Sequence, residues 1–351
     1  MDAQIALVLL TDGIANGAIY VLIALGTVLI FSVTRVIFVP FGDIAALTAL
    51  TVAALQLGRL PGTVWLVMVL AGTAVTMELG VAVRKRQLRR LPVALVSYAV
   101  LPILPVAVAA ALASSGLRLP QLGQMLLALA LVLPVAPLLN RIVFEPLESA
   151  SVLVLLIVSV ALHFATSGLA LLFFGPEGFR NEALSDASIR LGDITITAQV
   201  LLMVTAAAAL SGLLFLYFET TVTGKALRAT AINRTGARLV GIRPRRTGAV
   251  AFVLGSLLGG VSGLLIGPVT TIYYDSGFLI GLKAFVAAIV GGLGSYPLTA
   301  VGAVVVGVLE SFASFWSSSF KESIVFGTLI PVLLWRSLVS QQHEEEEEEI
   351  E

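Results

Sequence analysis

Apolar stretches about twenty residues long recur along almost the whole chain. The stretch from Ile5 to Phe31 carries a single charge, Asp12. A helix that crosses a bilayer needs about 20 mostly apolar residues. Backbone groups in lipid must pair within their own segment, so such stretches are read as helices. Of the 351 residues, 58% are hydrophobic and 12% charged, against roughly a quarter charged in soluble domains. With a mean hydropathy of +1.03, water is excluded as the main solvent. The expected fold is an all-α polytopic membrane protein.

The same counts exclude other classes. Lys and Arg number 21 and Asp and Glu 21, so no basic excess points to nucleic acid. The absence of cysteine removes disulfides, thiolate zinc sites, iron–sulfur clusters and cysteine nucleophiles. Two histidines, His163 and His343, are too few for a histidine-rich metal site, and no metal or cofactor is expected on this chain. The N-terminus lacks a basic region, and its apolar segment is long and holds Asp12 and Asn16. It reads as a first membrane segment rather than a cleaved signal.

Hydropathy and turn residues place about eleven segments (range eight to eleven) near 5–31, 36–57, 62–83, 93–114, 121–139, 150–174, 198–218, 247–267, 279–295, 298–316 and 323–339. The ninth is expected not to cross fully. They form one membrane domain over 1–340, followed by an acidic, disordered tail at 341–351. Orientation follows from basic residues. Arg84 to Arg90 form one basic loop; Lys225, Arg228, Arg234, Arg238, Arg243, Arg245 and Arg246 mark a second. Four segments separate the two loops, so both lie on one side. With Arg35, Arg141 and Arg336 that side holds 15 of the 21 basic residues. It is expected to be the cytoplasm, with the C-terminus there as well. The longest loop on the other side, 175–197, is polar and alternates like a strand near its end.

The loop at 219–246 is too polar to span a membrane. Ala226, Ala229, Ile232, Ala237 and Val240 recur at roughly helical spacing, which suits a short amphipathic helix seated in a groove of another protein. Ala237 and Gly241, four apart and small, are read as sharing its contact face. A basic loop lying on anionic lipid is the other reading. Farther on, Gly255, Gly259, Gly263 and Gly267 recur every fourth residue, the pattern of a close helix-packing ridge. A face that slides during transport is the alternative. Gly291 to Ser295 is expected to let the chain turn. Asp43, Glu78, Lys283 and Glu310 fall at membrane depth, where an unpaired charge costs several kcal/mol. Lys283 and Glu310 are expected to neutralise each other; contact with a zwitterionic ligand is the sharper alternative. His163 is expected to pack inside the bundle.

These strings carry a resemblance. TGKALRATAINRTGARLVGI, AFVLGSLLGGVSGLLIG, GLKAFVAAIVGGLGS and GVLES, together with NGAIYVLIALGTVLIFSVTRVI near the start, resemble the permease subunits of branched-chain amino acid ABC importers, the LivH type. The resemblance implies an importer-like helix bundle in the inner (cell) membrane of a bacterium. It implies an ATPase-docking loop, represented by Gly224, Arg228, Ala229, Asn233, Ala237, Leu239, Gly241 and Ile242. Asn16, Tyr20, Asp43, Lys283 and Glu310 become candidates for the translocation path or for buried charge. Implied partners are a second, similar permease, two cytoplasmic ATPases holding ATP and Mg, and an external binding protein. Branched-chain or other small amino acids lead as substrates, with amides or urea behind. The chain departs in two places. The family's Asn-Phe-Ala-His-Gly string is replaced by Val36 to Asp43, and residues 62–114 read as an added helical hairpin.

Two rivals were weighed. An autonomous secondary transporter or channel would share the broken helices but not need a docking loop. Gly260-Val261-Ser262-Gly263 matches the GxSG of rhomboid proteases, with only His163 at membrane depth as a base. VTGKA at 222–226 lacks the phosphate-loop spacing, so ATP chemistry is expected on another polypeptide and this chain is not expected to be an enzyme.

Overall fold

The computed structural model describes residues 3–85, 96–185, 187–191, 194–328, 330–332 and 334. In order come α1 (Ala3–Thr34), α2 (Phe41–Gln56), α3 (Thr63–Lys85), α4 (Leu101–Ser115, entered through a π turn at Val96–Val100), α5 (Gln121–Val132) and α6 (Val135–Leu139, leaving through a π turn at Asn140–Phe144). There follow α7 (Val152–Phe174), a hairpin of β1 (Ser188–Leu191) and β2 (Ile194–Thr197), and α8 (Ala198–Thr220). The chain continues through α9 (Val222–Ile232), α10 (Arg234–Leu239), α11 (Pro244–Ile266), α12 (Ser276–Val290), α13 (Tyr296–Trp316) and α14 (Lys321–Gly327). Among the described residues, eight helices are long and apolar enough to cross a membrane, and α2 and α12 are shorter apolar helices. This is the all-α membrane fold that hydropathy predicts. Much of the expected eleventh segment, most of the Arg84–Arg90 loop, Arg336, His343 and the acidic tail lie outside the described residues.

The long helix α1 is the axis of the bundle, buried on nearly every side between Ala15 and Val33. Its small residues explain how neighbours come so close. Gly13 and Gly17 face the backbone of Val304, Gly307 and Val308 on α13, where any added Cβ would collide. The ridge on α11 does the same on another side. Gly255 meets Ile30 and Phe41, Gly259 meets Phe41 and Ile44, and Gly263 lies against the carbonyl of Ala45. Gly267, just past the helix end, packs on Asn181. The ridge thus serves packing within the subunit.

The second segment differs from expectation. Hydropathy reads 36–57 as one helix, but 35–40 is not helical and α2 begins at Phe41. Arg35 adopts a positive φ of 62°, and Pro40 has no N–H to continue a helix behind it. Val36 and Phe38 are buried all the same. Phe38 sits within 6.4 Å of the rings of Phe41, Phe144 and Phe252, and the Val39 N–H donates to Ser159 Oγ at 2.8 Å. At 1.5 Å per residue α2 and α12 reach only about 24 and 22 Å, short of the roughly 30 Å hydrocarbon core. Their N-terminal turns meet: Gly42 abuts the backbone of Gly277 and Gly281, and Gly277 abuts Asp43. The expected turn after α12 is present, with Gly292 and Leu293 both at positive φ (80° and 57°).

Residues 175–185 tie down the end of the bundle opposite the basic loop. Phe179 bridges to Ile272, Arg180 Nε donates to the Pro268 carbonyl, and Asn181 Nδ2 donates to the Ala49 carbonyl at 3.1 Å. The strand-like alternation is realised in the β1–β2 hairpin, which pairs Ser188 with Thr197 and Leu191 with Ile194.

Candidate coupling surface and buried charge clusters

The polar loop folds into two short helices outside the spans. Thr221 caps α9, its Oγ1 accepting from the Gly224 N–H at 2.9 Å. Asn233 ends α9 and caps α10, its Oδ1 accepting from the Gly236 N–H at 2.8 Å. Gly224 is packed so tightly on the Tyr217 carbonyl and on Phe218 that a side chain cannot enter, which fixes α9 against α8. Leu227 and Thr230 face inward with it, while Arg228 pairs with Glu219 at 2.6 Å on the exposed face. Ala229 and Ile242 are half-buried. Behind α9 a cavity of ≈ 530 Å³ opens among Leu25, Val33, Leu214, Phe218, Leu227 and Tyr296.

Ala237 and Gly241 do not share a face. Ala237 is 4% exposed and turned toward the bundle. Gly241 lies beyond the end of α10 at φ 87°, where it reverses the chain toward α11. The outward surface instead mixes exposed polar and basic residues with large apolar ones: Val222 is 86% exposed, Ile232 79%, Leu239 85% and Val240 76%. Four large apolar side chains this exposed on a polar, basic segment outside the spans suit contact with another protein. Glu148, in the turn before α7, holds α10 through Arg234 (2.9 Å) and Arg238 (2.7 Å) and the first turn of α11 through Arg245 (3.2 Å).

Deep in the bundle two polar clusters stand apart. Lys283 Nζ donates to Glu310 Oε1 at 2.5 Å, and Tyr20 Oη donates to Glu310 Oε2 at 2.5 Å. All three are buried. The pairing expected from the sequence is therefore present, and Tyr20 completes it from α1. Asn16, one turn earlier, is half-buried. In the second cluster Asp43 Oδ2 lies 2.8 Å from His163 Nδ1 and accepts from Thr166 Oγ1 at 2.8 Å. His163 stacks on Phe278 of α12, with centroids 4.8 Å apart. From the sequence His163 is expected to pack inside the bundle or, in the protease alternative, to serve as a base; neither reading pairs it with Asp43. Its signal was available: an isolated acid and an isolated histidine at membrane depth have reason to find each other. Glu78 pairs with Arg141.

The family described as the permease component of branched-chain amino acid transport systems matches residues 9–334. The chain belongs to this family. It is 30% identical over 205 residues to the high-affinity branched-chain amino acid transport system permease protein LivH of Salmonella typhimurium, covering 56% of this chain and 66% of that protein. It is 30% identical over 206 residues to the permease protein BraD of Pseudomonas aeruginosa, covering 56% of this chain and 67% of the relative. A probable LivH of Methanocaldococcus jannaschii is 32% identical over 127 residues, 36% of this chain and 40% of its own. The chain thus spans just under two thirds of the length of the LivH protein of Salmonella. No solved structure matches.

Within this permease the GxSG string carries no protease geometry. Ser262 is buried in α11 and donates to the Leu258 carbonyl of its own helix at 2.7 Å, and among the described residues no hydrogen bond joins it to His163. The stretch that replaces the family's Asn-Phe-Ala-His-Gly string is the break before α2, and α7 brings the His163 imidazole against the first turn that follows.

Proposed function

We propose that this permease is the membrane-spanning subunit of an ATP-driven importer that carries branched-chain or other small amino acids across a bacterial inner membrane. Its basic end faces the cytoplasm, and the C-terminus lies on that side. ATP and Mg are handled by two ATPase subunits docked at the α9–α10 pair, not by this chain. A second, similar permease completes the pathway, and a binding protein delivers substrate to the end closed by residues 175–197. The observation that carries this reading is the apolar surface of Val222, Ile232, Leu239 and Val240 on helices that lie outside the spans.

The connections support a route by which a push there reaches the bundle. At one end α9 is locked to α8 through Gly224, and at the other α10 leads within five residues into α11. The glycine ridge of α11 bears on α2, and α2 bears on α12 through Gly42, Gly277 and Gly281. Movement of the docking helices is therefore delivered to the two short helices whose first turns hold Asp43 and Gly277. When ATP closes the motor, these helices shift and the bundle changes the side to which it opens.

Ile232→Asp and Leu239→Asp test the docking surface. Both side chains are exposed, so stability should change by less than about 0.5 kcal/mol. Co-purification with the ATPase subunit should fall at least about tenfold, as expected for loss of a buried apolar anchor. Unchanged co-purification in both variants would remove the docking reading and leave the loop as a lipid anchor.

A further inference from the structure

Six carboxylate–guanidinium contacts run without a gap from α3 to the α9–α10 pair. Glu78 on α3 holds Arg141, and Arg141 also holds Glu145 at 2.9 Å. Arg245 lies 3.5 Å from Glu145 and 3.2 Å from Glu148. Glu148 in turn takes Arg234 and Arg238. We propose that the α3–α4 hairpin positions the docking helices through Glu78, by way of Arg141, Glu145, Arg245 and Glu148. This assigns a role to residues 62–114 and rests on the reading of α9–α10 as the docking element.

Two observations single out Glu78. Near this end α3 is otherwise attached by an apolar seam, in which Ala71, Ala74 and Leu138 are buried with Leu70, Tyr98 and Ile142 against them. Apolar contact of this kind is non-directional. Among the described residues, Glu78–Arg141 is the one ion pair that α3 makes with the rest of the chain. The second observation is the charge balance. Arg141 already has Glu145 four residues on, so Glu78 is not needed to neutralise it. With Glu78, three carboxylates face four guanidiniums. Without it, Arg141 draws Glu145 toward itself and weakens the longest link, the one to Arg245. Arg234, Arg238 and Arg245 are then left to crowd one carboxylate, Glu148. Like charges that share a partner repel, and the docking helices lose a fixed position. Glu78 is a positioning residue, acting through Arg141.

The chain has no cysteine, so a single introduced thiol reports position without background. Spin labels are placed at Leu239→Cys on α10 and, as a control outside the network, at Leu298→Cys on α13; both sites are exposed. Spectra are recorded on the permease alone in lipid nanodiscs, without ATPase. Glu78→Gln should increase mobility at 239 and leave 298 unchanged, and it should add nothing in a Glu148→Gln background. Glu78→Gln should also weaken ATPase docking about three- to tenfold. An unaltered label at 239 in Glu78→Gln, alongside an altered one in Glu148→Gln, would overturn the proposal, as would equal loosening at both sites. Because the spectra need no ATPase, they answer the question even if the docking reading fails on its own test.

Discussion

Replacing Lys283 with Met removes one member of a buried triad and leaves Glu310 facing Tyr20 alone. Breaking a buried ion pair by deleting one partner costs about 3–5 kcal/mol. The geometry narrows that range. The carboxylate keeps the Tyr20 hydroxyl at 2.5 Å, which holds the expected cost to about 3–4 kcal/mol. Adding Glu310→Gln removes the charge and retains an acceptor for Tyr20, so the double variant should lose only about 1 kcal/mol relative to the parent. The difference, about 2–3 kcal/mol of recovery, is the coupling that a double-mutant cycle reads. The assay is thermal unfolding of detergent-purified protein, with yield of monodisperse protein as a second readout. A double variant no more stable than Lys283→Met would refute the reasoning.

Two further predictions use the same bundle. Gly42→Ala drives a methyl group into the backbone of Gly277 and Gly281 and should cost more than about 2 kcal/mol in thermal unfolding, whereas Gly80→Ala, with open space around it, should be neutral or stabilising by up to about 1 kcal/mol; equal effects would contradict the described crossing of α2 and α12. Asp43→Ala strands His163 Nδ1 and leaves the Thr166 hydroxyl only the His163 carbonyl, and should destabilise by about 1–3 kcal/mol, while Asp43→Asn should recover at least half of that; no difference between the two would deny the cluster its structural role.

Hydropathy alone placed most of the spans, because twenty apolar residues in lipid have no alternative to a helix. It failed at residues 35–40, where Val36 and Phe38 are buried and Ile37 and Val39 half-buried, yet none is helical. Burial there is secured by nearby Phe41 and by Phe144, Phe252 and the Ser159 hydroxyl, the last three from distant parts of the chain. The partnership of Lys283 and Glu310 was legible because few charges were available at that depth. Tyr20 as third member, and His163 as partner of Asp43, depended on which helices lie side by side. Spacing proposed Ala237 and Gly241 as one contact face. A glycine at positive φ ends α10 before that face can form, and the exposed surface falls to Ile232, Leu239 and Val240. The ion-pair chain from Glu78 was invisible for the same reason, since its members lie up to 167 positions apart in the chain (78 to 245).

The central claim is that an external ATPase drives this permease through the α9–α10 pair. The direct measurement is uptake of radiolabelled leucine into proteoliposomes that contain the permease assembly, with the binding protein outside and ATP enclosed. Uptake should require the ATPase subunit and hydrolysable ATP, and it should fall at least about tenfold with Leu239→Asp while the protein stays folded. Leucine uptake that proceeds on an ion gradient alone, with no ATPase subunit present, would contradict the account and make the protein an autonomous carrier.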